Sequence, residues 1–163
     1  PSDPRFRDFE IVRLKPTYAY KKKIHVLITN NTVSVLRVVL GKCEKHKKKV
    51  CIFFNSIDAT LKIIQTLGLE NRSRVFCSEN SMKKLKKQGY KEAWDRLTDL
   101  ADVNFFTSRY YSAVDIKLDE NPVVIMLTDV YSAPYSTIDP STECYQAVGR
   151  FRNGIHCVYH ITN

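Results

Sequence analysis

Glycine is scarce in this chain, five residues in 163. Enzymes of the doubly wound type that use a nucleotide or a methyl donor usually need a Gly-rich first turn, so this reading is disfavoured from the start. No G-x-x-x-x-G-K-[ST] phosphate loop occurs: Gly41-Lys42-Cys43 lacks the first glycine, the hydroxyl and the preceding strand and turn. No Asp-Glu pair ends a strand-like run to hold Mg²⁺. There is no apolar run of membrane-spanning length and no signal-peptide pattern, so the expected setting is a reducing cytoplasm with no membrane partner. The five cysteines (Cys43, Cys51, Cys77, Cys144, Cys157) are odd in number, and three lie in or beside apolar runs, as buried reduced thiols do. Cys43-x-x-His46 and Cys157-x-x-His160 have ligand-like spacing, but residues 157 and 160 of a strand point to opposite faces, so no metal site is expected. The chain opens Pro-Ser-Asp-Pro without Met, the beginning expected of a piece of something longer.

What is present suits one domain with a real core. Apolar residues make up 44% and charged residues 26%, which excludes wholesale disorder. The net charge of +9 favours an anionic partner, nucleic acid first. The clusters Lys21–Lys23, Lys47–Lys49 and Lys83–Lys87 would serve equally well as solubilising charge.

Residues 1–23 are polar, basic and punctuated by proline, and read as a lead-in or linker with an edge strand around Phe9–Leu14. From residue 24 a theme recurs. Short apolar runs at 24–28, 50–54, 74–78, 103–107, 123–127 and 157–161 predict strands. Helical spacing predicts helices over 32–45, from Ser56 to a stop at Gly68, and from Ser81 to about Asp102 with a break at Gly89. Apolar strands alternating with helices imply an α/β domain whose mostly parallel sheet is covered by helices on both faces. Ligands of such sheets bind beyond the carboxyl ends of the strands, which singles out Asn55, Ser56, Ser78, Glu79, Thr107, Ser108, Arg109 and Asp129. Ser56 and Ser81 serve as helix caps in any case. Tyr131 and Tyr135, in a loop beyond a strand end, are the aromatics best placed to stack on bases.

The last predicted helix begins after Asp139-Pro140 and stops at Asn153-Gly154, with Gln146, Gly149, Arg150 and Asn153 along one face. A glycine inside a helix costs about 1 kcal/mol relative to alanine, so close approach of a backbone or a phosphate is the expected compensation. Gln146-x-x-Gly149-Arg150-x-Arg152 resembles motif VI of superfamily 2 helicases, in the variant form similar to that of the herpesvirus origin-binding helicases. Asn153 stands where the usual pattern has its second arginine, and Arg152 comes one place early. Lys49 to Ser56, with the helix through Leu67, resembles motif IV. Thr107 to Asp115 resembles motif V, with Ala113 in place of its usual glycine.

The resemblance spans roughly Lys49 to Asn163 and implies the second, C-terminal RecA-like domain (24–163) of an ATP-dependent helicase or translocase. It assigns Arg150 and Arg152 to the γ-phosphate as arginine fingers, with Gln146, Gly149 and Asp115 at the nucleotide. Asn55, Ser56, Ser78, Thr107, Ser108 and Arg109 would form the nucleic-acid track, with DNA favoured over RNA. ATP and Mg²⁺ would be held by the N-terminal RecA-like domain of the same parent, without which this half is expected to be inactive. A module that kept the fold and lost the engine, binding nucleic acid or docking a protein, is the alternative that Asn153 and Ala113 support.

Overall fold

The apolar runs Val50–Phe53 and Val123–Leu127 are buried at every residue, the pattern of strands covered on both faces. They are two of the seven strands of one all-parallel sheet in a computed structural model that describes residues 23–112 and 114–163. The strands are β1 (Ile24–Ile28), β2 (Val50–Phe53), β3 (Ser73–Phe76), β4 (Ala93–Trp94), β5 (Val103–Phe106), β6 (Val123–Leu127) and β7 (Cys157–Thr162), in the order β1-β7-β6-β2-β5-β3-β4. Register is set by pairs such as Val50 with both Val103 and Val123.

Four α-helices among the described residues complete the α/β fold: α1 (Thr32–Lys45), α2 (Ile57–Leu67), α3 (Glu79–Lys87) and α4 (Glu143–Val148). The connections β1-α1-β2, β2-α2-β3 and β3-α3-β4 all step one way across the sheet, and every later connection steps back. With right-handed crossovers, outward and returning connections must lie on opposite faces. The two cores obey that rule. Leu36, Leu61, Ile64 and Leu85 from α1–α3 pack on one face, and Cys144 and Ala147 from α4, with Tyr110, Leu97 and Leu100 from returning loops, on the other. The second face is therefore covered mostly by irregular chain rather than by long helices. Its centre is a row of rings, Phe76 stacked on Phe106 at 4.9 Å and Phe106 on Phe53 at 5.2 Å.

Local signals explain the helix ends. Asn31, Ser56 and Ser78 accept from backbone N–H groups three residues on and cap α1, α2 and α3. Gly68, with φ of 62°, ends α2 in the left-handed conformation that glycine adopts without strain.

Two expectations are corrected. The helix expected from Ser81 to about Asp102 begins earlier and ends at Lys87. Gly89 turns the chain at φ 89°, and the Tyr90 hydroxyl then donates to the Ser73 carbonyl at 2.8 Å. That anchor draws Ala93-Trp94 alongside β3 as an edge strand, so Leu97 and Leu100 reach the core from a loop. The helix expected to run to Asn153 stops at Val148. The backbone beyond it pairs instead with Ile116, whose N–H donates to the Arg150 carbonyl (2.8 Å) and whose carbonyl accepts from the Arg152 N–H (3.2 Å). The N-cap is Thr142 rather than Asp139, although Asp139 ties the approach together by accepting from Ser141 N–H and the Thr142 hydroxyl. The edge strand expected at Phe9–Leu14, and with it the lead-in segment up to residue 22, lies outside the described residues. No helix among the described residues is long and apolar enough to cross a membrane.

Candidate nucleic-acid interface

The carboxyl ends of β2, β5 and β3 lie side by side, so the polar residues that follow each strand meet in one place. Asn55, Ser56, Ser78, Thr107, Ser108 and Arg109 all line a single open groove of about 370 Å³. The N-termini of α2 and α3 open into it, and their dipoles favour an anion there.

The six residues are not equivalent. Ser56 is buried, and its hydroxyl caps α2. Ser78 caps α3 and donates to the Ser81 hydroxyl at 3.0 Å. Thr107 is buried, and its hydroxyl donates to the Phe76 carbonyl, bracing β5 against β3. Ser108 leans on Asn55, its hydroxyl donating to Oδ1 at 3.0 Å. Arg109 is exposed at the rim. The floor is thus a preformed polar surface whose hydroxyls are largely engaged, while the exposed charge of Arg109 stands free of them.

Two charged lining residues, Lys84 and Asp58, carry no signal in the sequence, whereas Tyr135 is one of the aromatics it singles out. Lys84 of α3 and Asp58 of α2 face each other across the groove with Nζ 2.7 Å from Oδ1, and Tyr135 stands at its mouth. Nothing in local sequence marks the first two, because only the packing of α2 against α3 makes them neighbours. Lys84 lies in a lysine run that reads as solvated charge.

The residues expected at a nucleotide form a second cluster. Arg152 Nη2 lies 2.8 Å from Asp115 Oδ1, and that hydrogen bond, with the arginine charge, holds the Asp115 carboxyl below the usual carboxylate range. Arg150 donates through Nε to the Gln146 carbonyl (3.0 Å) and through Nη1 to the Ser112 carbonyl (3.1 Å). Asn153 donates to the Leu118 carbonyl at 2.7 Å. Together these bonds strap the segment after Thr107 to the segment after α4. Gln146 and Gly149 are exposed.

Gly149 is the C-cap of α4, not an interior helical residue. A Cβ built there would meet only its own preceding turn, the Tyr145 carbonyl oxygen at 3.2 Å and that of Gln146 at 3.4 Å. The close approach expected to compensate for this glycine is thus not supplied by the described residues. Ala113 lies outside them. These groups do not form a nucleotide pocket by themselves. Both arginines are turned onto groups of this chain, and no group of three or more metal-ligating side chains occurs among the described residues.

Asp129, just beyond the end of β6, is an organiser rather than a free carboxylate. Partial burial opposes its charge, but hydrogen bonds from the Ser132 N–H, Asn163 Nδ2 and the Thr32 hydroxyl outweigh this and keep its pKa low. They join β6 to α1 and to the end of β7.

No protein-family model and no curated protein sequence matches the chain.

Proposed function

We propose that this chain is the second RecA-like half of an ATP-dependent superfamily 2 helicase or translocase, and that its groove holds the phosphate backbone of a nucleic-acid strand. The observation that carries the reading is the groove itself. Residues from three separate stretches converge there between two helix N-termini, with Arg109, and Lys84 in exchange for its Asp58 partner, to meet phosphate charge. Backbone contacts of this kind position a strand without reading its sequence, as a translocating motor requires. Asn55, Ser108, Lys84 and Arg109 would carry the phosphate contacts, while Ser56, Ser78 and Thr107 keep the floor rigid.

In this reading Arg150 and Arg152 face a partner domain of the same parent that holds ATP and Mg²⁺, and they complete its site. An arginine finger can be worth ~10³–10⁵ in rate. Arg152 would have to exchange Asp115 for phosphate, and Asp115 would steer it between the two. The hydrogen bonds that engage both arginines within this chain, and the absence of any described neighbour of Gly149 beyond its own turn, favour one second reading: a nucleic-acid-binding module that has lost the engine.

Two measurements separate these. Fluorescence anisotropy of the chain with a labelled oligo(dT) strand is expected to show salt-dependent binding. Each of Lys84→Ala and Arg109→Ala should weaken it and lower the salt slope by roughly 0.7. Wild-type affinity in both variants would remove the groove from the reading. In the parent protein, DNA-stimulated ATP hydrolysis should collapse with Arg150→Ala or Arg152→Ala. A parent that binds strands but hydrolyses nothing is the binding module.

A further inference from the structure

Beside the groove lies a second crevice of about 310 Å³, lined by the apolar Val33, Phe54, Ala59 and Ile63 together with polar groups that include Lys62 and Asp129. The two hollows share a ridge formed by Ser56, Asp58 and Tyr135. One side of the ridge carries Lys84 and Arg109 beside the Asp58 carboxylate, and the other mixes apolar walls with polar groups. The Tyr135 ring crowns it and is 65% exposed.

Its backbone is fixed. Pro134–Ser136 form a 3₁₀ turn whose last residue, Ser136, and whose preceding residue, Ala133, are both fully buried. The Ala133 N–H donates to the Asp129 carbonyl (2.8 Å), the Ser136 N–H to the Ala133 carbonyl (2.8 Å), and the Asp129 N–H to the Ser136 hydroxyl (2.9 Å). A large apolar ring held in water on a fixed turn gains by meeting a flat apolar partner, and little freedom is lost when it does so.

We infer that Tyr135 is a base-stacking residue. A nucleotide whose phosphate lies in the polar groove turns its base onto the Tyr135 ring, at the lip of the second crevice. The inference rests on the groove being a nucleic-acid track, and it adds what phosphate contacts cannot supply: recognition of a single strand with unpaired bases. Stacking of one base on an aromatic side chain is worth roughly 5- to 150-fold in affinity. Tyr131 is more exposed, at 79%, but lines neither hollow, so it serves as the control.

The test compares the 163-residue chain on oligo(dT) and on an abasic phosphodiester strand of equal length, by anisotropy at matched salt. The wild type is expected to prefer the base-bearing strand within that range. Tyr135→Ala should abolish the preference and leave abasic binding and its salt slope unchanged. Tyr135→Phe should restore it, and Tyr131→Ala should not alter it. Folding is followed by circular dichroism, which an exposed ring should not affect. A preference that survives Tyr135→Ala overturns the stacking role and leaves the groove reading intact. Equal binding of both strands by the wild type does the same. Binding of neither strand overturns the groove reading and the stacking role together.

Discussion

Arg152 and Asp115 are ion-paired at 2.8 Å, joining the strap that follows α4 to the loop that follows β5. The same loop begins at Thr107 in the groove, so one continuous segment runs from the groove floor to the arginine cluster. A strand moving through the groove and a phosphate drawing Arg152 away would therefore act on the two ends of one loop.

The pair has a pH signature. The hydrogen bond from Arg152 lowers the Asp115 pKa. A depressed carboxylate stabilises the fold fully above the unfolded aspartate value, ~3.9, and that contribution is lost as pH falls through the lower folded value. Both side chains are about half exposed, so the change in total stability is expected to be small. An NMR titration should find Asp115 below an ordinary aspartate and find it raised in Arg152→Ala. Identical curves in the two proteins would mean that the pair does not persist in solution.

Gly149 has helical backbone angles, φ −64° and ψ −11°, and open space beyond its own turn. Gly149→Ala should leave thermal stability unchanged or raise it by up to ~1 kcal/mol. If ATP hydrolysis by the parent falls while this chain stays stable, the crowding at Gly149 comes from a docked partner surface. A lowered melting temperature of the chain itself would instead mean a close neighbour within it.

Phe106 is fully buried between Phe53 and Phe76, with Tyr110 edge-on at 5.8 Å. Phe106→Ala removes the middle of that row and should cost ~3–5 kcal/mol in urea denaturation, from lost burial and the cavity left behind. A cost under ~1 kcal/mol would mean that the neighbouring rings close the gap.

Asn104 is fully buried in β5. Its side chain accepts from the Ala101 N–H at 2.9 Å and donates to the carbonyls of Ala101 (2.9 Å) and Val50 (3.2 Å). Asn104→Leu removes the side-chain partners of the buried turn at Ala101 and should cost ~1–3 kcal/mol. A neutral effect would show that water replaces the amide.

Six of the seven strands were legible because each is an apolar run with one reading in a parallel sheet. The seventh, Ala93-Trp94, was hidden inside a helical pattern: Trp94, Leu97 and Leu100 fit a helix stripe until Gly89 and the Tyr90–Ser73 anchor divert the chain. α1 and α2 matched their expected spans because their caps lie in adjacent residues. α4 did not, since the pairing of Ile116 with Phe151 that ends it is invisible to local periodicity.

The candidate site divides along the same line. The sequence by itself determined the α/β class, the strand ends and the polar residues placed there, because burial periodicity and capping act over a few neighbouring residues. Only the tertiary structure decided that those residues share one groove, that Lys84 faces Asp58, that Tyr135 crowns a ridge between two hollows, and that Arg150 and Arg152 are held by Ser112 and Asp115. These relations depend on strand order, and strand order is set by how the crossovers pack rather than by any one segment.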